Sequence, residues 1–228
     1  MQLNQFYKKN NLQNEENLVK IKKIRTPRFA RGTIFGLDLE EMEDFFREIK
    51  YSEDSNAKRD FLMFKMIFFH GLRRQECANL KIEDLLWHKS GDPQKDRIYI
   101  KAVKNGREGK ELIHPVERDL ILEYLKIRKE DGSELLFTSQ KKGEKGISTF
   151  AISNAYKKYA KLVKLPIEKQ HVHCLRHTFA FQMIESEATL EQVMIGLRQM
   201  SLQSAMKYFR KSEKIMHKVQ ANFFENVS

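Results

Sequence analysis

Apolar positions along the chain fall into blocks parted by short polar or glycine-marked breaks, and most blocks repeat at helical spacing. Asp38, with Glu41 three residues on, has the form of a capping box, and Met42, Phe45, Phe46 and Ile49 then recur on one face. The run FLMFKMIFFH within residues 56–70 is apolar on most sides, which predicts a helix central to the core. Gly71 breaks it, and residues 73–80 (RRQECANL) read as the next helix. A short strand is expected over 84–88, then a hairpin with strands at 97–103 and 110–116. Asn105-Gly106, in the loop 104–109, is strong turn chemistry.

Helices are expected over 117–129 and 148–164. Another begins at about Cys174 and buries Leu175, Phe179, Met183 and Ile184. Thr189 and Gln192 form a second capping box, for a helix carrying Leu190, Val193, Met194 and Leu197. Ser201 caps a short helix that displays Tyr208. In the stretch 211–228, Ile215, Met216, Val219, Phe223 and Phe224 stand near helical spacing. Such an amphipathic helix folds back on its own core or docks on a neighbouring subunit. No repeat or low-complexity linker divides the body. The pattern predicts a mainly α fold with a small antiparallel β-sheet (α+β).

Composition narrows the class. A hydrophobic content of 41% against 32% charged residues describes a folded soluble chain. No apolar run approaches the roughly 20 residues that span a bilayer, and the first ten residues hold no signal-like segment. Two cysteines, Cys77 and Cys174, suit a reducing compartment as buried thiols, so a cytoplasmic protein is expected. Forty-two Lys and Arg against 31 Asp and Glu leave a formal charge of +11. That excess favours polyanions over membranes, since no helix pairs a basic face with exposed aromatic bulk. A basic soluble protein without nucleic acid is the plainer alternative. Lys20, Lys22, Lys23, Arg25, Arg28 and Arg31 fall in twelve residues free of acids. They read either as a basic arm laid on a phosphate backbone or as a solvated terminus.

The segment from His171 to Tyr208 concentrates candidate chemistry. His173, Arg176 and His177 lie within five residues at a helix start, and a phenol follows on later turns. Arginine forks hold paired phosphate oxygens, and Arg73 likewise opens a helix, with Glu76 one turn on to brace it. His171, His173, Cys174 and His177 are close enough to suggest zinc. Ligands at adjacent positions face different sides of a helix, however, and no second pair has finger spacing, so no metal is expected. Tyr156, Lys157 and Lys158 suit a DNA-facing helix or a solvated one.

GLRRQECANLKIEDL resembles the G-L-R-x-x-E-x-x-x-L-x-x-x-D segment of tyrosine recombinases, the family of Xer proteins and phage integrases. HVHCLRHTFAFQMI resembles their H-x-L-R-H-T-F-A helix, and Tyr208 falls where that family has its nucleophile. The resemblance covers about residues 37–210 and implies a catalytic domain there, which leaves the basic arm as residues 1–36 and the C-terminal helix as residues 211–228. It implies that Tyr208 attacks a DNA phosphate to give a 3′-phosphotyrosyl enzyme. Arg73 and Arg176 would hold the phosphate, and His173 would assist proton removal from the tyrosine or orient the phosphate. Glu76 and His177 would support them, His177 by packing beside Arg176. A lysine would protonate the leaving 5′-oxygen: Lys104 matches best, with Arg107 and Lys110 also in range. No cofactor is implied, because phosphotyrosine conserves the bond energy for religation.

Two positions depart from the family pattern. Nine residues before the tyrosine the family has His or Trp after a glycine, where this chain has Gln199, with Arg198 as another donor. Only 36 residues precede the first catalytic helix, whereas typical members carry a helical core-binding domain there. The expected partners are a double-stranded DNA recombination site, a homotetramer on it and a possible accessory protein, without a membrane. A type IB topoisomerase-like enzyme and a non-catalytic DNA-binding protein are the competing expectations.

Overall fold

The computed structural model describes residues 34–103, 106–128, 132–139 and 146–210. Lys20, Lys22, Lys23, Arg25, Arg28, Arg31, Lys104 and the helix expected over 211–228 lie outside them. The described part is mainly α-helical around a small antiparallel sheet of β1 (Leu85–Leu86), β2 (Arg97–Ile100) and β3 (Gly109–Leu112), in the order β1-β2-β3.

Helix α1 (Leu39–Lys50) starts at the capping box foreseen for it. Asp38 accepts from the Glu41 N–H and Glu41 from the Asp38 N–H, each at 2.9 Å. Phe45, Phe46 and Ile49 are buried on its inner face. They meet α2 (Ala57–Phe69), whose Leu62, Met63, Phe64, Met66 and Ile67 are fully covered. Helix α2 ends in a Schellman arrangement, with Leu72 N–H on Ile67 O at 3.0 Å and Gly71 N–H on Phe68 O at 3.5 Å. Gly71 takes φ +53°, and a Cβ there would stand 2.5 Å from the Phe179 ring. The same residue therefore turns the chain and admits a neighbouring helix.

Helix α3 (Arg74–Asn79) follows at once, with Arg73 as its N-cap. Helix α5 (Thr149–Leu162), capped by Ser148, closes the first core. Its Tyr156 is not a DNA-facing residue: it is fully buried, and its hydroxyl donates to Lys169 O at 3.1 Å. Lys158, beside it, pairs with Asp54. Helix α6 (His173–Glu185) crosses to a second, smaller core of Ala180, Ile184, Val193, Leu197 and Tyr208. That core is completed by α7 (Leu190–Gly196), which starts at the Thr189–Gln192 capping box, and α8 (Leu202–Phe209), capped by Ser201. Residues 34–37 belong to this body: Ile34 packs on the second core, and Leu37 N–H donates to Thr178 Oγ1 at 2.8 Å.

The hairpin differs from its expected form. Its strands pair only from Arg97↔Leu112 to Ile100↔Gly109, shorter at both ends than expected. Gly106 bridges to Gln199, and Arg107 N–H donates to Arg198 O at 3.2 Å. Gly106 N–H also donates to Val103 O at 3.1 Å, the closure of a tight turn at the expected place, so cross-pairing with the α7–α8 loop comes in addition to that turn. The strand beyond Leu112 is cut short because Pro115 occupies the first position of α4 (Pro115–Ile127), with His114 as its cap. Proline's missing N–H costs nothing at that position.

Candidate active site

Three chain junctions meet at Glu76, a buried carboxylate on α3. Arg73, ahead of it, donates its N–H at 2.8 Å and its guanidinium at 2.5 Å. Arg198 donates from the α7–α8 loop at 3.0 Å, and Arg176 approaches from α6 to 3.9 Å. Burial alone would raise the Glu76 pKa. The charge of Arg198 and the bonds from Arg73 outweigh it and hold the carboxylate below its ordinary range.

The two candidate phosphate-binding arginines are held differently. Arg176 is buried; it donates to Gly71 O and, at 2.7 Å, to Leu197 O, locking the α2–α3 turn to the end of α7. Burial and the neighbouring Arg73 charge lower it to about 10, which still leaves it protonated near neutrality. Arg73 keeps 25% of its side chain exposed and lies against the Gly106 backbone, where a Cβ would stand 2.9 Å from its guanidinium. Its guanidinium also faces Arg198 O at 3.4–3.5 Å. Arg73 is thus the more open of the two cations, and Arg176 the more fixed.

Tyr208, on α8, is 4% exposed, and burial raises its pKa while the charges of Arg176 and Arg73 pull it back. It is a neutral phenol near neutral pH. Its hydroxyl stands 3.0 Å from Nδ1 of His177, and the Phe181 ring packs edge-on against it at 5.7 Å. His177 therefore reaches Tyr208 itself, beyond the packing against Arg176 expected for it. His173 is half-buried one turn earlier on α6, its ring 6.3 Å from that of His177. Burial, then Arg74 and Arg176, pulls it down to about 4, so its imidazole is neutral at physiological pH.

Gln199 is half-buried, its backbone bridged to Gly106 beside Arg73. Arg198, the other candidate donor, turns inward: it is 2% exposed, adopts φ +50°, and donates to Glu76, Glu111 and the carbonyls of His70, Gly71 and Gly196. Among the candidates for the leaving-group acid, Arg107 reaches the Met200 sulfur. Lys110 is exposed on the strand face opposite Glu111, by the alternation of β3. Among the described residues, no group of three or more His, Cys, Asp or Glu could hold a metal ion, and no helix is long and apolar enough to cross a membrane. Cys77 and Cys174 are buried free thiols, and burial raises both pKa values, that of Cys174 to about 12.

A model of the phage integrase family matches residues 36–214. The chain belongs to the phage integrase family. Tyrosine recombinase XerA of Pyrococcus horikoshii is 31% identical over 167 residues, which are 72% of this chain and 52% of that protein. XerA of Pyrococcus furiosus is 26% identical over 210 residues, 90% of this chain and 68% of that one. The chain thus spans about half the length of the first relative. Among solved structures, XerH recombinase in a post-cleavage complex with palindromic difH substrate gives a TM-score of 0.70 at 25% identity. That match covers 82% of this chain and 52% of XerH. A crystal structure of XerA recombinase gives 0.66 at 18% identity, over 87% of this chain and 66% of that one, and speaks to the fold alone. The mainly α fold with its three-stranded sheet is that of a tyrosine recombinase catalytic domain.

In this phage integrase family member the sequence reading missed His70, Glu111 and Glu117. His70, at the end of α2, is buried with Nδ1 on Glu111 and Nε2 on Glu117, each at 2.8 Å. Burial alone would lower its pKa; the two carboxylate bonds overrule that and raise it to about 9. Glu111 also pairs with Arg198. A chain of alternating charge therefore runs from Glu117 through His70, Glu111, Arg198 and Glu76 to Arg73. Only one signal pointed to it: Glu111 shares a hairpin face with the buried Ile98 and Ile100, where a carboxylate needs an internal cation.

Proposed function

We propose that this chain is a site-specific DNA recombinase that breaks and rejoins double-stranded DNA through a 3′-phosphotyrosyl bond to Tyr208. The observation that carries the reading is the meeting of one phenol with two arginines and two histidines drawn from separate elements. Arg73 and Arg176 would hold the non-bridging oxygens of the scissile phosphate and offset charge developing in the transition state. His173, a neutral imidazole flanked by arginines, would donate a hydrogen bond to the same phosphate, and Gln199 would do so through its amide. Lys104, two residues before Gly106 in the chain, would protonate the leaving 5′-oxygen.

Its partner would be a double-stranded recombination site, in keeping with the XerH relative solved on its difH substrate. The basic stretch from Lys20 to Arg31 would bind the DNA backbone, where each phosphate contact releases counterions. The amphipathic residues beyond 210 would pack on a neighbouring subunit of a homotetramer assembled on two sites, in the cytoplasm.

The test is covalent trapping. Wild type and Tyr208→Phe are incubated with a pool of nicked duplexes of randomised sequence, resolved on a denaturing gel, and the linked residue is mapped by mass spectrometry. A wild-type adduct at Tyr208, absent from the variant, is expected. DNA binding without any adduct would overturn the enzymatic reading and leave a DNA-binding protein of this fold.

A further inference from the structure

A phenol near pKa 10 needs a proton acceptor to become a nucleophile at neutral pH. Two imidazoles are within reach, because His173 and His177 stand four residues apart on one face of α6. The contact falls to one of them. Nδ1 of His177 lies 3.0 Å from the Tyr208 hydroxyl, with ring centroids 5.6 Å apart. His173 sits instead among Arg73, Arg74 and Arg176, whose charges lower its affinity for a proton. The phenol is 4% exposed and enclosed by Phe181 and the small core, so bulk water is a poor substitute.

Resting on the reading of Tyr208 as nucleophile, we propose that His177, and not His173, takes the Tyr208 proton at the moment of attack. The phenol O–H bond breaks and its proton passes to Nδ1. The phenolate oxygen forms the bond to phosphorus, the bond from phosphorus to the 5′-oxygen breaks, and the leaving oxygen is protonated by the general acid. In religation a 5′-hydroxyl returns its proton to the general acid, its oxygen bonds to phosphorus, the bond from phosphorus to the tyrosine oxygen breaks, and the imidazolium gives its proton to the departing phenolate. For Nδ1 to accept the proton, the ring must carry its own hydrogen on Nε2. Arg176, next in the chain and against the phenol, favours the phenolate as it forms.

The experiment measures single-turnover cleavage by the full chain on the nicked duplex that wild type traps from the randomised pool. Each variant is assayed on the normal substrate and on one whose scissile 5′-bridging oxygen is sulfur, a leaving group that needs no protonation. His177→Ala is expected to slow cleavage about 10²–10³-fold, the usual worth of general base catalysis. Sulfur should not restore it, added imidazole should restore part of it, and Lys104→Ala should show the reverse response to sulfur. His177→Gln, which keeps an acceptor for the phenol, serves where alanine does not fold. Cleavage by the His177 variant at the wild-type rate, rescue by sulfur, or slowing unmoved by imidazole each overturns the assignment. If wild type traps no adduct at all, the nucleophile reading fails and the inference falls with it. If wild type traps and the variants match it, the inference alone falls.

Discussion

Arg198 holds both members of the Arg73–Glu76 pair, one with its side chain and one with its carbonyl. Its guanidinium donates to Glu76 Oε2 at 3.0 Å, while its carbonyl faces the Arg73 guanidinium that Glu76 also holds. The residue is buried, and its backbone sits in the left-handed region at φ +50°. A side chain there costs about 1 kcal/mol or more relative to glycine, and the fold tolerates this because two carboxylates need the charge. Arg198→Gly should therefore relieve the backbone yet take from Glu76 and Glu111 the buried cation they share. Breaking a buried pair costs about 3–5 kcal/mol, so a net loss of about 2–4 kcal/mol is expected in urea unfolding. A variant as stable as wild type would show that the pair contributes nothing net.

The same chain of charges makes stability depend on alkaline pH. His70 has a folded pKa of about 9 against an ordinary 6.5, because Glu111 and Glu117 favour its imidazolium. The folded state thus binds the proton more tightly than the unfolded chain. That contribution is fully present below about pH 6.5 and is lost as pH rises through about 9. A shift of this size corresponds to roughly 3 kcal/mol at most. Unfolding free energy should fall between pH 7 and 9.5 in wild type, and markedly less in His70→Gln. Parallel curves for the two proteins would remove His70 as the cause.

Glycine at position 71 answers two demands, and a comparison with Gly91 separates them. Gly91 has φ +71° but nothing within 4 Å of where a side-chain carbon would stand, so Gly91→Ala should cost only the conformational penalty of about 1 kcal/mol. Gly71 has φ +53° and the Phe179 ring 2.5 Å from that carbon. Gly71→Ala adds overpacking worth about 1–3 kcal/mol, for a total near 2–4 kcal/mol in thermal or urea unfolding. Equal costs at the two sites would mean that α6 yields freely to the added methyl.

Local chemistry explains why so much of the helical frame was legible in the sequence. The boxes Asp38–Glu41 and Thr189–Gln192 and the stop at Gly71 each depend on residues within a few positions, and all lie where the pattern put them. The two arginines, the histidines and Tyr208 stood out because their spacing matched a known motif. What escaped detection depends on partners distant in the chain. Asn105-Gly106 marked a turn, and Gly106 N–H does close on Val103 O, but the further pairing of Gly106 with Gln199 is one that no local rule foretells. Tyr156, followed by Lys157 and Lys158, suited a DNA-facing or solvated face, yet α5 turns that position fully into the core. Arg198 read as a free donor because nothing nearby in sequence revealed Glu76 and Glu111 waiting for it. Burial and long-range charge pairing, rather than helix propensity, are where the reading failed.

Gly106 makes the most direct prediction for the site, because its role is close approach and not backbone freedom. A Cβ there would meet the Arg73 guanidinium at 2.9 Å and Val103 O at 3.1 Å. Gly106→Ala must push the 101–108 connection away from Arg73 or displace the guanidinium from its place between Glu76 and Arg198 O. Gly106 is half-buried and its bridge to Gln199 is an isolated pairing, so stability should change by less than about 1 kcal/mol. Catalysis should be less forgiving, since a misplacement of about 1 Å costs on the order of 10²-fold when a reacting group must be aligned. Single-turnover cleavage is therefore expected to fall by about 10–100-fold with DNA affinity and melting temperature nearly unchanged. Sulfur in the 5′-bridging position should recover part of the loss if it arises from the leaving-group lysine, and none if it arises from Arg73. Cleavage at the wild-type rate would mean that the hairpin loop and Arg73 are mechanically independent, contrary to the contact that Gly106 makes with both Arg73 and the α7–α8 loop.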